Sequence, residues 1–123
     1  MKYLTLNDIS SYKRALALSS YIWNIIIKWD WFAKKTVGDQ FVNAIDSISA
    51  NIAEGFGRYK KLDKIHFYRI SFGSMLESLD WNQKSFTRKL LTGEEYNHIL
   101  KELKELPLEI NQLIKFTREK LKE

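Results

Sequence analysis

The stretch LTGEEYNHILKELKELPLEINQLIKFT, residues 91–117, reads as a helix from end to end. Thr92-Gly93-Glu94-Glu95 is a capping box: the Thr92 hydroxyl and the Glu95 carboxylate each meet a backbone N–H left unpaired at a helix start. Leu91 and Tyr96 are spaced as a hydrophobic staple around it. Behind them Tyr96, Ile99, Leu103, Leu106, Ile110, Leu113 and Thr117 recur every three or four residues, the period of one helix face. Pro107 removes one backbone donor inside the run and is expected to bend it.

The same rhythm occurs three times upstream. Ile9, Tyr12, Leu16, Ser19, Trp23 and Ile26 mark one face of a first segment, with Asn7 or Asp8 placed to cap it and an end near Asp30. Val37, Phe41, Ile45, Ile48 and Ile52 mark a second, which runs into Gly55 and Gly57, a natural stop or kink. Ile65, Ile70, Leu76, Leu79 and Phe86 give a third a broad apolar surface, with Asp63 near its start. Segments of about 20–28 residues, at a rise of roughly 1.5 Å each, make rods of about 30–40 Å. Short links make neighbours antiparallel. The predicted fold is all-α, an antiparallel up-down-up-down four-helix bundle, one domain over residues 1–123 with helices at about 8–30, 36–57, 62–90 and 93–121.

The 123 residues are 45% hydrophobic and 28% charged, with 5 Gly, a single Pro and no Cys. That length buries enough surface to fold without staples. The absence of Cys excludes a disulfide framework, a thiolate nucleophile and a Cys-based metal site, and points to a cytoplasmic setting. No N-terminal leader is expected, and the most apolar stretch, Tyr21–Ile27, is too short to cross a bilayer, so no membrane partner is expected. The net charge of +5 is uneven: residues 1–61 hold 9 Lys/Arg against 5 Asp/Glu, and residues 62–123 hold 11 against 10. Most of the excess falls between Arg58 and Arg69.

Residues 21–32, YIWNIIIKWDWF, are apolar nearly all the way round. Ile22, Ile25 and Trp29 lie on a different face from Trp23 and Ile26, and a bundle helix needs only one apolar stripe. The second is expected to be buried in another subunit, making the protein a homo-oligomer.

Asp63-Lys64-Ile65-His66 and Glu95-Tyr96-Asn97-His98 imitate the carboxylate–histidine pairs of di-iron bundles. Each lies in the first turn of its own helix, and antiparallel helices place those turns at opposite ends, so no metal site, and no cofactor, is expected. Ser10, Ser11, Ser47, Ser49 and Ser74 show no triad spacing, and Gly55-Phe56-Gly57 follows a helix instead of a strand. No enzymatic activity and no catalytic residue is expected. The remaining candidate is the basic stretch. Arg58, Lys60, Lys61, Lys64 and Arg69, interleaved with Tyr59, His66, Phe67 and Tyr68, suit phosphate contacts with RNA or DNA without base readout. The bland alternative is a solvated helix corner. A second functional alternative is a scaffold presenting its surface to another protein. The C-terminal run Lys115, Arg118, Lys120 and Lys122 reads as a soluble helix end that complements the dipole.

Two linked blocks, residues 47–58 (SISANIAEGFGR) and 66–77 (HFYRISFGSMLE), resemble the motifs of the four-helix-bundle proteins encoded by intervening sequences in bacterial 23S rRNA genes. The family pattern is roughly S-I-P-x-N-I-A-E-G-x-G-R followed by F-x-x-I-A-x-G-S-x-x-E. Ser49 stands where the family usually has Pro, Lys60 where a capping Ser is frequent, and Ser71 where Ala is common. The resemblance implies a homopentameric ring without established enzymatic activity and with a suspected role in nucleic-acid binding. The chain is also distantly similar to the basic pentameric accessory proteins of diversity-generating retroelements. The motif residues Asn51, Glu54, Gly55, Gly57, Gly73, Ser74 and Glu77 have a packing explanation as well: the glycines permit close helix approach, Asn51 and Ser74 can bond across helices, and Glu54 can pair with Arg58.

Overall fold

The computed structural model describes residues 4–120. After a short 3-10 turn at Leu6–Asp8, the chain forms α1 (Ser10–Ile26), a short α2 (Trp31–Ala33), a π-helical turn (Lys34–Gly38), α3 (Asp39–Gly57), α4 (Lys61–Thr87) and α5 (Gly93–Lys120). The four long helices, α1, α3, α4 and α5, form the expected antiparallel bundle. Its neighbours are α1–α3, α3–α4, α4–α5 and α5–α1, so α1 and α4 stand on one diagonal. Among the described residues no helix is long and apolar enough to cross a membrane.

The helix starts differ from expectation in two places. Asp8 does not cap α1: its carboxylate accepts from the Thr5 N–H at 2.7 Å and so closes the preceding 3-10 turn. The Thr5 backbone and side-chain bonds hold the Asp8 carboxyl below its usual range. The second helical run begins at Trp31, earlier than position 36, because Asp30 Oδ1 accepts from Ala33 N–H at 2.9 Å and starts a turn there. The run then continues through the π turn into α3. At α5 the capping box forms as read, with Thr92 N–H to Glu95 Oε1 at 2.9 Å and Glu95 N–H to Thr92 Oγ1 at 3.0 Å. The helix is continuous through Pro107.

The core is built from Ala15, Leu18, Ile22 and Ile26 of α1, Phe41, Ile45, Ile48 and Ile52 of α3, Ile65, Tyr68 and Met75 of α4, and Ile99, Leu103, Leu106 and Ile110 of α5. Two faces are phased differently from the sequence reading. In α1 the buried stripe contains Ile22, which is 1% exposed, while Leu16 and Trp23 face outward. Ile22 is therefore a residue of the chain's own core and not of a subunit contact; Ile25 and Trp29 are half-buried against that core. The surplus apolar face is Leu16, Trp23 and Ile27. One residue is a 100° turn on a helix, so where nearly every side chain is apolar the phase is set by the partner helices.

In α4 the inversion is stronger. Ser71, Ser78, Asn82 and Ser85 are fully buried, while Leu62, Ile70 and Leu76 are exposed. The small polar side chains let α3 and α4 approach closely. Ser71 Oγ donates to the Ile48 carbonyl at 2.8 Å, so the serine that departs from the family pattern supplies a bond between helices. Asn82 Nδ2 reaches the Tyr96 carbonyl of α5 at 3.2 Å. On the α1–α5 side Arg14 holds Glu102 at 2.7 Å and Glu109 at 2.8 Å, which raises its own pKa.

The glycines separate by role. A Cβ on Gly55 would lie 2.7 Å from Tyr68 Cε1 and 2.9 Å from the Lys64 carbonyl, whereas one on Gly73 or Gly57 would meet nothing within 4 Å. Of the three motif glycines only Gly55 is required by a close approach within one chain. Urea unfolding should show Gly55→Ala destabilised by about 1–3 kcal/mol, since backbone must move. In the isolated subunit, Gly73→Ala should be stabilised by up to about 1 kcal/mol through helix propensity. Equal destabilisation of both would contradict this assignment.

Candidate nucleic-acid interface

The α3–α4 link is only Arg58, Tyr59 and Lys60, and it sits at the lower end of the bundle. Arg58 leaves α3 in extended conformation, and Lys60 occupies the N-cap of α4 without a side-chain cap bond. A cation at an N-cap opposes the positive end of the helix dipole and leaves an orphan N–H unpaired. Tyr59 between them is 87% exposed.

The five predicted cations are not equivalent. Lys60 projects freely. Arg58 is exposed but engaged, with its guanidinium 2.9 Å from Glu54 and 4.6 Å from the Phe67 ring centroid. Lys61 Nζ donates to the Arg118 carbonyl at 2.9 Å. Lys64 Nζ donates to the Phe56 carbonyl at 2.7 Å and is half-buried, which lowers its pKa. Lys64 is thus a C-terminal cap for α3 and not a free phosphate contact. Arg69 lies eight residues along α4 from Lys61, about 12 Å at a helical rise, and belongs to the side of the bundle and not to its corner.

The Lys61–Arg118 bond adds a part that sequence order conceals. It brings the end of α5, with Arg118 and Lys120, against the start of α4, so the corner draws cations from two distant stretches. Lys122, grouped with them in the sequence, lies outside the described residues. Signals for this were present in the periodicity, since antiparallel α4 and α5 of nearly equal length must end together. Of the interleaved aromatics, Tyr68 is core, its hydroxyl pushed up to about 12 by burial. His66 stays exposed, in edge contact with Phe67.

Other motif residues act locally. Asn51 Nδ2 donates to the Ser47 carbonyl of its own helix at 2.8 Å, and the Ser74 carbonyl accepts from Ser78 Oγ at 2.8 Å; neither side chain bonds across helices. Glu77 accepts from Trp81 Nε1 at 3.3 Å. Asp63 and His66 sit at the lower end, Glu95 and His98 at the upper, where the His98 ring lies against Tyr21 with centroids 4.4 Å apart. Among the described residues no three His, Asp or Glu side chains gather as metal ligands.

The fold places the chain among small antiparallel four-helix bundles, with its two motif blocks on the packed pair α3 and α4. The chain belongs to the family of 23S rRNA-intervening sequence proteins, whose model matches residues 7–112. A solved structure of unknown function from the S23 ribosomal protein family of Bacteroides thetaiotaomicron shares the fold, with a TM-score of 0.75 at 21% identity over 85% of this chain and 98% of its own. No curated protein matches the sequence.

Lys60 offers a direct check of the local geometry. Lys60→Ser should restore an N-cap acceptor and raise stability by about 0.5–2 kcal/mol in urea unfolding. No gain would mean that the lysine N-cap costs nothing here.

Proposed function

We propose that the protein is a non-enzymatic homo-oligomer that binds RNA or DNA through phosphate contacts at its basic lower corner. The observation that carries this reading is the convergence of Arg58, Lys60 and Lys61 with the Arg118–Lys120 end of α5, joined by the Lys61–Arg118 bond. Cations of a link and of a helix end, with the exposed Tyr59 among them, suit a backbone that is recognised by charge and not by base identity.

Self-association is supported by the two apolar faces. Leu16, Trp23 and Ile27 flank the α1–α3 side, and Ile70 and Leu76 flank the uncrowded Gly73 on α4, with Leu62 about three turns away on the same face. These helices are diagonal, so the faces point away from each other. One face of each copy against the other face of the next is a head-to-tail contact, which closes into a ring where the rotation between copies divides a full turn; the family resemblance supports a pentamer. A ring would repeat the corner and turn a weak patch into a multivalent one.

Both parts are measurable. Changing Lys60, Lys61 and Arg118 together to Glu should weaken binding to structured RNA and reduce the slope of log K against log salt by roughly 2–3. An unchanged slope would sink the site. Trp23→Glu and Ile70→Glu should each abolish the oligomer in sedimentation, while a mixture of the two variants should form a dimer through its one intact interface. A Trp23→Glu or Ile70→Glu protein that still self-associates would rule out head-to-tail packing.

A further inference from the structure

The upper end of the bundle carries a second cationic surface, remote from the corner just described. The α1–α2 turn and the α4–α5 turn meet there, and Asp30, Phe32, Thr36, Arg88 and Leu90 line one recess of about 430 Å³. Beside it Trp31 and Phe32 present their rings to solvent, 70% and 68% exposed. Lys35 Nζ lies 4.8 Å from the Trp31 ring centroid. Arg88 lines the recess and Lys89 follows it in the α4–α5 turn; Lys28 and Lys34 stand at the same end of the bundle but on neighbouring recesses, and none of these five cations forms an ion pair among the described residues. Four carboxylates share this end: Asp30, which lines the recess, and Glu95 accept backbone N–H bonds at helix starts, and Asp39 and Glu94 are exposed.

The backbone supplies an independent sign. Lys89 has φ 62°, the one non-glycine residue with positive φ among those described. It closes α4 in a Schellman motif, with Leu90 N–H to Ser85 O at 2.8 Å and Lys89 N–H to Phe86 O at 3.0 Å. Glycine suits that position best, so a lysine there costs stability.

We propose that this end is a site for single-stranded nucleic acid: unpaired bases stack on Trp31 and Phe32 while Lys35, Arg88 and Lys89 hold the flanking phosphates. Exposed flat rings, a recess beside them and surplus cations match a ligand that alternates π-faces with negative charge. A duplex hides its base faces in its own stack and would meet only the cations. The proposal goes beyond the lower corner and stands even if that corner binds nothing.

The test is fluorescence anisotropy with a labelled oligouridylate of about 12 nucleotides, within the range bound by single-strand modules, and a duplex of equal length. Trp31→Ser with Phe32→Ser alters only exposed side chains; it should weaken single-strand binding about tenfold or more and change duplex binding less than about twofold. Lys89→Gly should raise the urea midpoint and weaken single-strand binding, a pair of effects that misfolding cannot produce. Lys60→Glu with Lys61→Glu should leave the contrast between single strand and duplex intact, which separates this site from the corner. The proposal is overturned if the Trp31/Phe32 variant binds the oligouridylate as tightly as the native chain, or loses both ligands equally. It is also overturned if that variant changes only the sedimenting mass, marking a contact between copies, or loses only binding to phosphatidylserine vesicles.

Discussion

The close contact between α3 and α4 governs most of what the surface presents. Gly55 lets the Tyr68 ring reach the α3 backbone, and Ser71 bonds the Ile48 carbonyl; both need α4 to turn its small polar residues inward. Ser71 and Ser78 satisfy their hydroxyls on backbone carbonyls and are inexpensive to bury, whereas Ser85 Oγ and Asn82 Oδ1 are buried without a partner and cost stability. The geometric consequence is on the other side of the helix. Because Ser71, Ser78, Asn82 and Ser85 occupy the inner face, Ile70 and Leu76 must lie outside, and a helix that seals the core of the chain has, like α1, apolar side chains to spare.

The helices were legible because their signals are local. The Thr92–Glu95 box, the three-four rhythm of α3 and α5 and the scarcity of turn residues act within a few positions. What could not be read was rotational phase. In α1, apolar residues surround the helix, so the sequence alone does not distinguish Ile22 inward from Trp23 inward. In α4, a rule that buries aliphatics chooses Ile70 and Leu76 where the packing buries Ser71 and Met75. The basic stretch was visible as composition, but its division of labour was not: the direction of Lys64 toward the Phe56 carbonyl is decided by the end of α3, and Arg118 joins Lys61 from 57 residues away.

The distribution of charge changes accordingly. Read along the chain, the surplus of +5 is concentrated between Arg58 and Arg69. In three dimensions two of those cations, Lys61 and Lys64, are bonded to helix-end carbonyls and Arg69 stands on the bundle's side, while α5 contributes Arg118 and Lys120. Lys28, Lys34 and Lys35 meet Arg88 and Lys89 at the far end. The bundle thus carries cations at both tips, and its apolar surplus lies along the sides between them, apart from Trp31 and Phe32 at the upper tip. On the proposed reading, tips for polyanions and sides for neighbouring copies do not compete for the same surface.

The most direct test of the central claim is ultraviolet cross-linking of the native protein to RNA, with the attached peptides identified by mass spectrometry. Tyr59 stands exposed among Arg58, Lys60 and Lys61, so the account predicts cross-links on the peptide that contains it. RNA attached only to peptides from the sides of the bundle, with the Tyr59 peptide unmodified, would contradict it.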